Sequence, residues 1–535
     1  MGEADSLREK IGFWEAFSIG VGGMIGGGIF AVLGLSVEFS RNLAPFAFLI
    51  SGIIAFLTSY SYAKLTMKYP SKGGTIEFLV KAYGTGVFSG TLNLLLLASY
   101  VIMISLYAYA FGSYASAIVN VNAHFLKNIL ISLPILVFTI INALGAYASG
   151  KAEDALVAFK VVVLIVVASA GLTHVNPERF SHIDIEFIDL IVGGMVIFLA
   201  YEGFELIANA GSDVENPETL KKAFYSSVLF VIAIYVLIAI VAVGNLSYDE
   251  IISSRDYALA EAAKPSLGNI GFLLVTFAAV VSTSSAINAT LYGAAGVSYM
   301  VAKYGQLPEV VEKPIWGKAY EGLVAISLLS LLLANTASLE EISTAGSSGF
   351  LLIFFFVNLA AFKLRKNLKI RAEVPLIGAV VSFVAFLILI FKMVEKDIAS
   401  VYIFSTMIIG CFLLEYAYRL ATGRRMELFV DSNLKNRMVN LANWEKWVKK
   451  FADELVKLVE DAEVFIVGSH ARGEREKAHD VDLLIFTEER DESKFEKAKR
   501  NAGLTKVHPL HLHVESKRRK EIALRRAKHY VQIKP

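Results

Sequence analysis

Along most of this chain, apolar residues come in long unbroken runs. About twelve runs approach or exceed the ~20 residues a helix needs to cross a bilayer core. They lie near 12–34, 44–66, 86–118, 128–145, 155–173, 187–209, 223–245, 268–300, 320–336, 343–362, 374–393 and 399–420. One such run reads equally well as a buried core helix. Twelve in series do not, because spanning helices are what keep backbone polar groups satisfied in hydrocarbon. After Arg424 the pattern changes. Residues 434–458 have amphipathic helical spacing, with Leu441, Trp444, Trp447, Val448, Phe451, Leu455 and Leu458 on one face. Short strand-like stretches follow at 464–467 and 480–486. The pattern predicts a membrane domain over 1–423 and a small soluble α/β domain over 424–535.

Composition agrees with two regions in different solvents. The chain of 535 residues is 55% hydrophobic and 19% charged, with a mean hydropathy of +0.56. Charges are sparse from Gly12 to Leu420 and dense from Arg424 onward, so the net charge of +2 says little about partners. Cys411 is the single cysteine, which excludes an internal disulfide and a cysteine metal site. Met1–Lys10 is short and charged and lacks a small-residue cleavage site, so a retained first span is expected, not a signal peptide. Lys and Arg gather in alternate short loops, at Lys64, Lys68, Lys72 and Lys81, at Lys221 and Lys222, at Lys303, Lys313 and Lys318, and from Lys363 to Arg371. The positive-inside rule places that side, both termini and the tail in the cytoplasm of a multi-pass cell-membrane protein.

The first run contains Gly20, Gly22, Gly23, Gly26, Gly27 and Gly28 within nine residues. Each glycine inside a helix costs about 1 kcal/mol against alanine. Close helix packing explains two or three glycines at spacing four. A helix broken at mid-membrane, with bare backbone groups facing a cavity, explains a nearly continuous run and is the preferred reading. The sixth run carries Phe198-Leu199-Ala200-Tyr201-Glu202-Gly203-Phe204-Glu205. Two carboxylates and a glycine at membrane depth mark either a functional site or a structural pairing. Runs one and six hold corresponding places in two inverted halves of five spans, with two spans added.

Four collinear segments carry a resemblance. The first is Gly20 to Phe30, similar to a G-x-G-x-x-I-G-x-G-I-F motif. The others are Tyr62 to Leu65 with Tyr69 to Gly74, Ala200 to Glu205 with Glu215-Asn216-Pro217, and Ser282 to Asn288 with Gly305 to Pro308. Together they resemble the amino acid–polyamine–organocation superfamily of permeases over roughly 12–420. The resemblance implies the leucine-transporter fold and secondary transport of amino acids or related amines by alternating access. Backbone amides of Met24, Ile25, Gly26, Gly27 and Gly28 would hold the substrate carboxylate at a positive half-helix end. Carbonyls of Val21 and Gly22, and of Ala200 to Glu202 beside Gly203, would take the ammonium. Phe198, Tyr201 and Phe204 are candidate aromatic walls or ordinary packing.

Lys160 lies more than one turn inside the fifth run. Desolvation disfavours a buried ammonium, which gives this residue a way to gain and lose a proton. It resembles the lysine that replaces an ion in proton-coupled members of the superfamily. Snorkelling to the interface is the plain alternative, and Ser282 to Ser285 are potential sodium ligands. A lysine ammonium and a sodium ion repel in one place, so proton coupling is expected, with sodium as the alternative. No G-x-x-x-x-G-K motif occurs, which argues against ATP-driven pumping.

In the tail, a strand runs into Gly468-Ser469-His470-Ala471-Arg472-Gly473, and Asp480 and Asp482 alternate on a second strand. A glycine-serine turn can present N–H groups to phosphate, and two carboxylates on one strand face suit Mg²⁺ beside a nucleoside triphosphate. Together they resemble the nucleotidyltransferase superfamily of DNA polymerase β type. Gly468, Ser469 and Arg472 would then bind nucleotide, and Asp480 and Asp482 metal. The later strand 509–515 carries His511, His513 and Glu515 where a third acid is expected, so a nucleotide-binding sensor and an active enzyme remain equal readings. The basic segments at 517–520 and 525–526 suit phosphate, RNA, anionic membrane lipid or plain solvation. A nucleotidyltransferase merely anchored by its spans is the alternative function.

Overall fold

The computed structural model describes residues 11–119, 124–144, 150–181, 185–214, 216–304, 320–422, 444–468, 471, 481–489, 491–504, 510–527 and 529–534. Contacts divide the chain into two compact units, one within Lys10–Phe429 and one within Val430–Pro535.

Among the described residues the larger unit is almost wholly helical. Every one of the twelve apolar runs is occupied by helix. Span 1 is two helices, Phe13–Met24 and Gly28–Ser40, and span 6 is Phe187–Val196, a 3-10 turn at Phe198–Tyr201, and Leu206–Asn209. The unbroken spans are Ala44–Lys68, Val87–Val119, His124–Leu144 and Gly150–Leu172 (spans 2 to 5), then Pro217–Asn245 (span 7), Tyr320–Thr336, Leu339–Lys363, Glu373–Lys396 and Ile398–Thr422 (spans 9 to 12). Span 8 lies in the helix Ala258–Lys303, which is interrupted at Gly268 (φ 61°), three residues after Pro265. Among the described residues, nine helices are long and apolar enough to cross a membrane, ten if the bent pair of span 6, at 50°, counts as one. Span 9 is shorter than the rest.

Local chemistry sets several ends. Asn216 caps Pro217–Asn245 by accepting from Glu218 N–H, with proline at the first helical position. Ser338 and Glu341 form a capping box at the start of span 10. Large apolar side chains such as Phe46, Ile270, Phe277, Leu332 and Leu414 are exposed around the outside. A soluble protein would bury them; hydrocarbon is their matching solvent. Spans 3, 7 and 10 and the two breaks of spans 1 and 6 are largely buried, whereas span 8 buries one side and exposes Ile270, Leu273 and Phe277 on the other.

The smaller unit is a four-stranded sheet in the order β3-β2-β1-β4, with β1 Glu463–Val467, β2 Val481–Phe486, β3 Leu510–Glu515 and β4 Tyr530–Lys534. β1 runs antiparallel to β2 and β4, and β2 runs parallel to β3. Alternation sorts the strands onto two faces. Val464, Ile466, Val481, Leu483 and Ile485 pack with Trp447, Val448, Phe451 and Leu455 of the helix Trp444–Leu458. Phe465, Leu484 and Phe486 form a second cluster with Ala523 and Leu524.

Candidate transport site

Span 1 stops at Met24 and restarts at Gly28. A helix that stops inside a membrane leaves carbonyls without intrahelical donors. Here side chains from three other spans supply them. Lys160 Nζ donates to the Gly22 carbonyl at 2.8 Å. Tyr235 donates its hydroxyl to the Met24 carbonyl at 2.6 Å. Ser282 donates to the Ile25 carbonyl at 2.8 Å and also reaches that of Gly26. Val21 O is used within the helix, by the Ile25 N–H at 2.8 Å. Lys160 is 2% exposed and sits at a helix C-terminus, where the partial negative charge of the last carbonyls favours a cation.

Span 6 breaks a few residues earlier than the Ala200–Glu202 segment. Its first half ends at Val196, whose carbonyl accepts from Ser343 at 2.7 Å and Ser347 at 2.9 Å. Ser347 also accepts from Leu199 N–H at 3.1 Å. Glu202 is extended and Gly203 takes φ 117°, a left-handed conformation that favours glycine. Tyr235 also donates to the Ala200 carbonyl at 3.1 Å, so one hydroxyl joins both breaks.

The two breaks touch. A Cβ on Gly23 would lie 2.7 Å from Gly203 O, and one on Gly28 would lie 2.6 Å from Ala200 Cα. A Cβ on Gly27 would meet the Tyr107 ring at 2.4 Å, and one on Gly22 would meet Val157 at 2.6 Å. The glycine run therefore serves both readings at once: it breaks the helix and admits close neighbours on several sides. The second half of span 1 begins at Gly28, so N–H groups of its first turn lack intrahelical acceptors and form a positive end.

The candidate aromatic residues diverge. Phe204 stands in a cluster with Tyr62 (5.4 Å between centroids) and Phe354 (5.3 Å). Phe198 packs edge-on against the same Phe354 at 5.8 Å. Tyr201 turns away, donating to the Phe48 carbonyl at 2.8 Å and lying against Tyr235. Of the serines in span 8, Ser282 faces the break, Thr283 bonds within its own helix, and Ser284 and Ser285 are half-buried. Reading the sequence missed Tyr235, Ser343 and Ser347. Their signal was a hydroxyl inside an otherwise apolar run, a common form of interhelical contact in membranes.

In the tail, Gly468 adopts φ 77° at the end of β1, and Asp482 lies on β2. A Cβ on Gly468 would lie 2.7 Å from an Asp482 carboxylate oxygen. Asp482 pairs across the sheet with His511, and His513 Nε2 lies 3.7 Å from Asp482 Oδ1. That carboxylate raises the pKa of His513 above its ordinary value. Ser469, His470, Arg472 and Asp480 lie outside the described residues, as do Glu215 and 305–308. Among the described residues, no group of three or more His, Cys, Asp or Glu side chains could hold a metal ion.

Comparison with known proteins agrees with this architecture. Residues 11–413 match the family described as amino acid permease, and residues 448–532 match a nucleotidyltransferase domain. The chain is 37% identical to an uncharacterised protein of Methanocaldococcus jannaschii over 78% of this chain and 97% of that one. It is 31% identical to the inner membrane transport protein YbaT of Escherichia coli, over 71% of this chain and 89% of that one. It is 27% identical to the serine/threonine exchanger SteT of Bacillus subtilis, over 69% and 86%. A manganese transporter from Eremococcus coleocola superposes with a TM-score of 0.51 at 12% identity, covering 76% of this chain and 94% of that one. At that identity the likeness concerns the fold alone. The chain belongs to the amino acid permease family of integral membrane transporters and carries a nucleotidyltransferase domain at its C-terminal end.

Proposed function

We propose that the membrane unit is a proton-coupled secondary carrier of amino acids or related amines in the cell membrane, with both termini cytoplasmic. The observation that carries this reading is the Lys160 ammonium on the Gly22 carbonyl, at the end of the first half of span 1. That position suits a monovalent cation, and here it is filled by a side chain that can release its proton. Protonated, Lys160 ties span 5 to the first half of span 1 through a charge-assisted bond. Deprotonated, it loses the charge that the helix end favours, and the tie weakens. Rocking of span 1 is then linked to one proton without any sodium ion. The substrate carboxylate would lie at the N-terminal turn of the second half of span 1, near Gly26 to Gly28, with the span 6 break at Ala200 to Phe204 completing the site. The expected sides of the membrane follow from the Lys and Arg bias of the loops.

The test is uptake of labelled amino acids into proteoliposomes, first with a pH gradient alone and then with a sodium gradient alone. Movement driven by pH and indifferent to sodium supports the reading. A strict sodium requirement refutes the coupling, and failure of a broad panel of amino acids and amines to move refutes the substrate class.

For the tail, the same proposal includes binding of a nucleoside triphosphate by the Gly468 turn, with a regulatory effect on transport. Asp482 is the proposed metal ligand that the structure describes, and an imidazole stands beside it. That donor set supports nucleotide binding better than two-metal transfer, so no transfer step is assigned to it. An anchored nucleotidyltransferase with inert spans is disfavoured, because inert spans have no use for two carboxylates buried at a helix break.

A further inference from the structure

Glu202 is 1% exposed, and both of its carboxylate oxygens are buried with no hydrogen-bond partner. It stands at the break of span 6, one residue from the Gly203 backbone that touches Gly23. Its neighbour Glu205 is 2% exposed and half satisfied: Oε2 accepts from Gly203 N–H at 2.7 Å, while Oε1 has no partner. Three carboxylate oxygens therefore lie together in the centre of the membrane unit without donors. A buried carboxylate persists only with a counter-charge or donors to satisfy it. A proton removes the charge but leaves the polar atoms of Glu202 unpaired, whereas a cationic hydrogen-bond donor would answer both. No Lys or Arg among the described residues is recorded against either carboxylate; Lys160 approaches span 1 at Gly22, towards span 5, whereas Gly23 faces span 6.

Of the backbone acceptors expected to receive a substrate ammonium, the carbonyls of Val21, Gly22 and Ala200 already accept bonds, from Ile25 N–H, Lys160 and Tyr235. Tyr107 of span 3 is buried beside the break, its ring bordering Gly27 of span 1. A zwitterion brings no net charge to the carboxylate pair, whereas a substrate with an extra ammonium or guanidinium brings the missing positive charge.

We propose that Glu202 is the specificity-determining counter-ion of the transport site, and that the carrier prefers substrates with a net positive charge, namely basic amino acids or diamines. This rests on the reading of the membrane unit as an amino acid or amine carrier. Glu202 holds the substrate cation, and Glu205, fixed by Gly203 N–H, reinforces the field.

The test uses the full chain in lipid nanodiscs, with L-arginine, putrescine and L-alanine as probes at neutral pH. The quantity read is the ratio of affinities, which a general loss of folded protein does not change. In the parent, arginine or putrescine should bind about ten-fold more tightly than alanine. Glu202→Gln keeps the shape and removes the charge, and should bring that ratio close to one. Glu202→Asp should retain part of it. A preference for putrescine over arginine identifies diamines as the class, and the reverse identifies basic amino acids. Alanine bound as tightly as arginine and putrescine in the parent, or a ratio unchanged in Glu202→Gln, overturns the proposal while leaving amino acid transport intact. Binding of none of the three probes by folded protein overturns the proposal and the carrier reading together.

Discussion

Lys160 of span 5 and Gly22 of span 1 are joined by a 2.8 Å hydrogen bond from the ammonium to the backbone carbonyl, three residues before the helix breaks. One titratable group thereby contacts the segment that, in the proposed cycle, rocks to change access to the site. Lys160→Ala should reduce uptake driven by a pH gradient about ten-fold or more, since both the tie and the titrating group are lost. Lys160→Arg should fail similarly, because a guanidinium does not release its proton at working pH. Proteoliposome uptake by the parent and both variants checks this, with size-exclusion profiles confirming folded protein. Undiminished pH-driven uptake by the alanine variant removes Lys160 from the coupling.

Tyr235 holds both breaks through one hydroxyl, on Met24 and on Ala200. Tyr235→Phe leaves the ring in place and deprives two buried carbonyls of their donor. A net hydrogen bond contributes about 1 kcal/mol, and unsatisfied buried acceptors cost somewhat more. The variant should therefore lose roughly 1–3 kcal/mol of stability, seen as a lower melting temperature in detergent, and should transport more slowly. An unchanged melting temperature and rate would show that the bridge is dispensable.

The contact between Gly28 and Ala200 leaves no space for a methyl group, because a Cβ would lie 2.6 Å from a backbone carbon. Gly28→Ala must push the two breaks apart, an overpacking that costs about 1–3 kcal/mol. Transport should fall more than stability, since the displaced atoms border the proposed substrate carboxylate position. Gly296 has nothing within 4 Å of its Cβ position, so Gly296→Ala is the control and should be nearly silent. Equal effects of the two substitutions on uptake would refute the close-contact argument.

In the tail, Asp482 raises the pKa of His513. The stabilising contribution of this pair is therefore complete below the unfolded value of about 6.5 and is lost as pH rises through the higher folded value. Denaturant unfolding of the full chain, followed by Trp444 and Trp447 fluorescence after Trp14→Phe and Trp316→Phe, should show a midpoint that falls between mildly acidic and mildly alkaline pH. His513→Gln should flatten that slope. A slope that survives the substitution assigns the pH dependence to other groups.

The aromatic candidates show where a sequence reading loses resolution. Phe198, Tyr201 and Phe204 lie within seven residues and were indistinguishable as candidate walls. The 3-10 turn and the left-handed Gly203 divide them: Phe198 and Phe204 both pack on Phe354 of span 10, whereas Tyr201 donates to the Phe48 carbonyl of span 2. A run of six glycines within nine residues can likewise be recognised as a break, but which glycine faces which neighbour depends on helices distant in sequence.

The sequence by itself determined the division into membrane and soluble regions, the twelve apolar runs, the break in span 1, and the family. Each of these rests on local chemistry: the length of an apolar run, the helix-breaking character of glycine, the cost of a charge in hydrocarbon, and short motifs in order along the chain. Tertiary structure decided which donors close the broken helix ends and which carboxylate oxygens have none. Lys160, Tyr235 and Ser282 reach span 1 from 138, 211 and 257 residues away. Hydrogen bonds are settled by ångström distances between such remote segments, and no local pattern in the sequence encodes those distances.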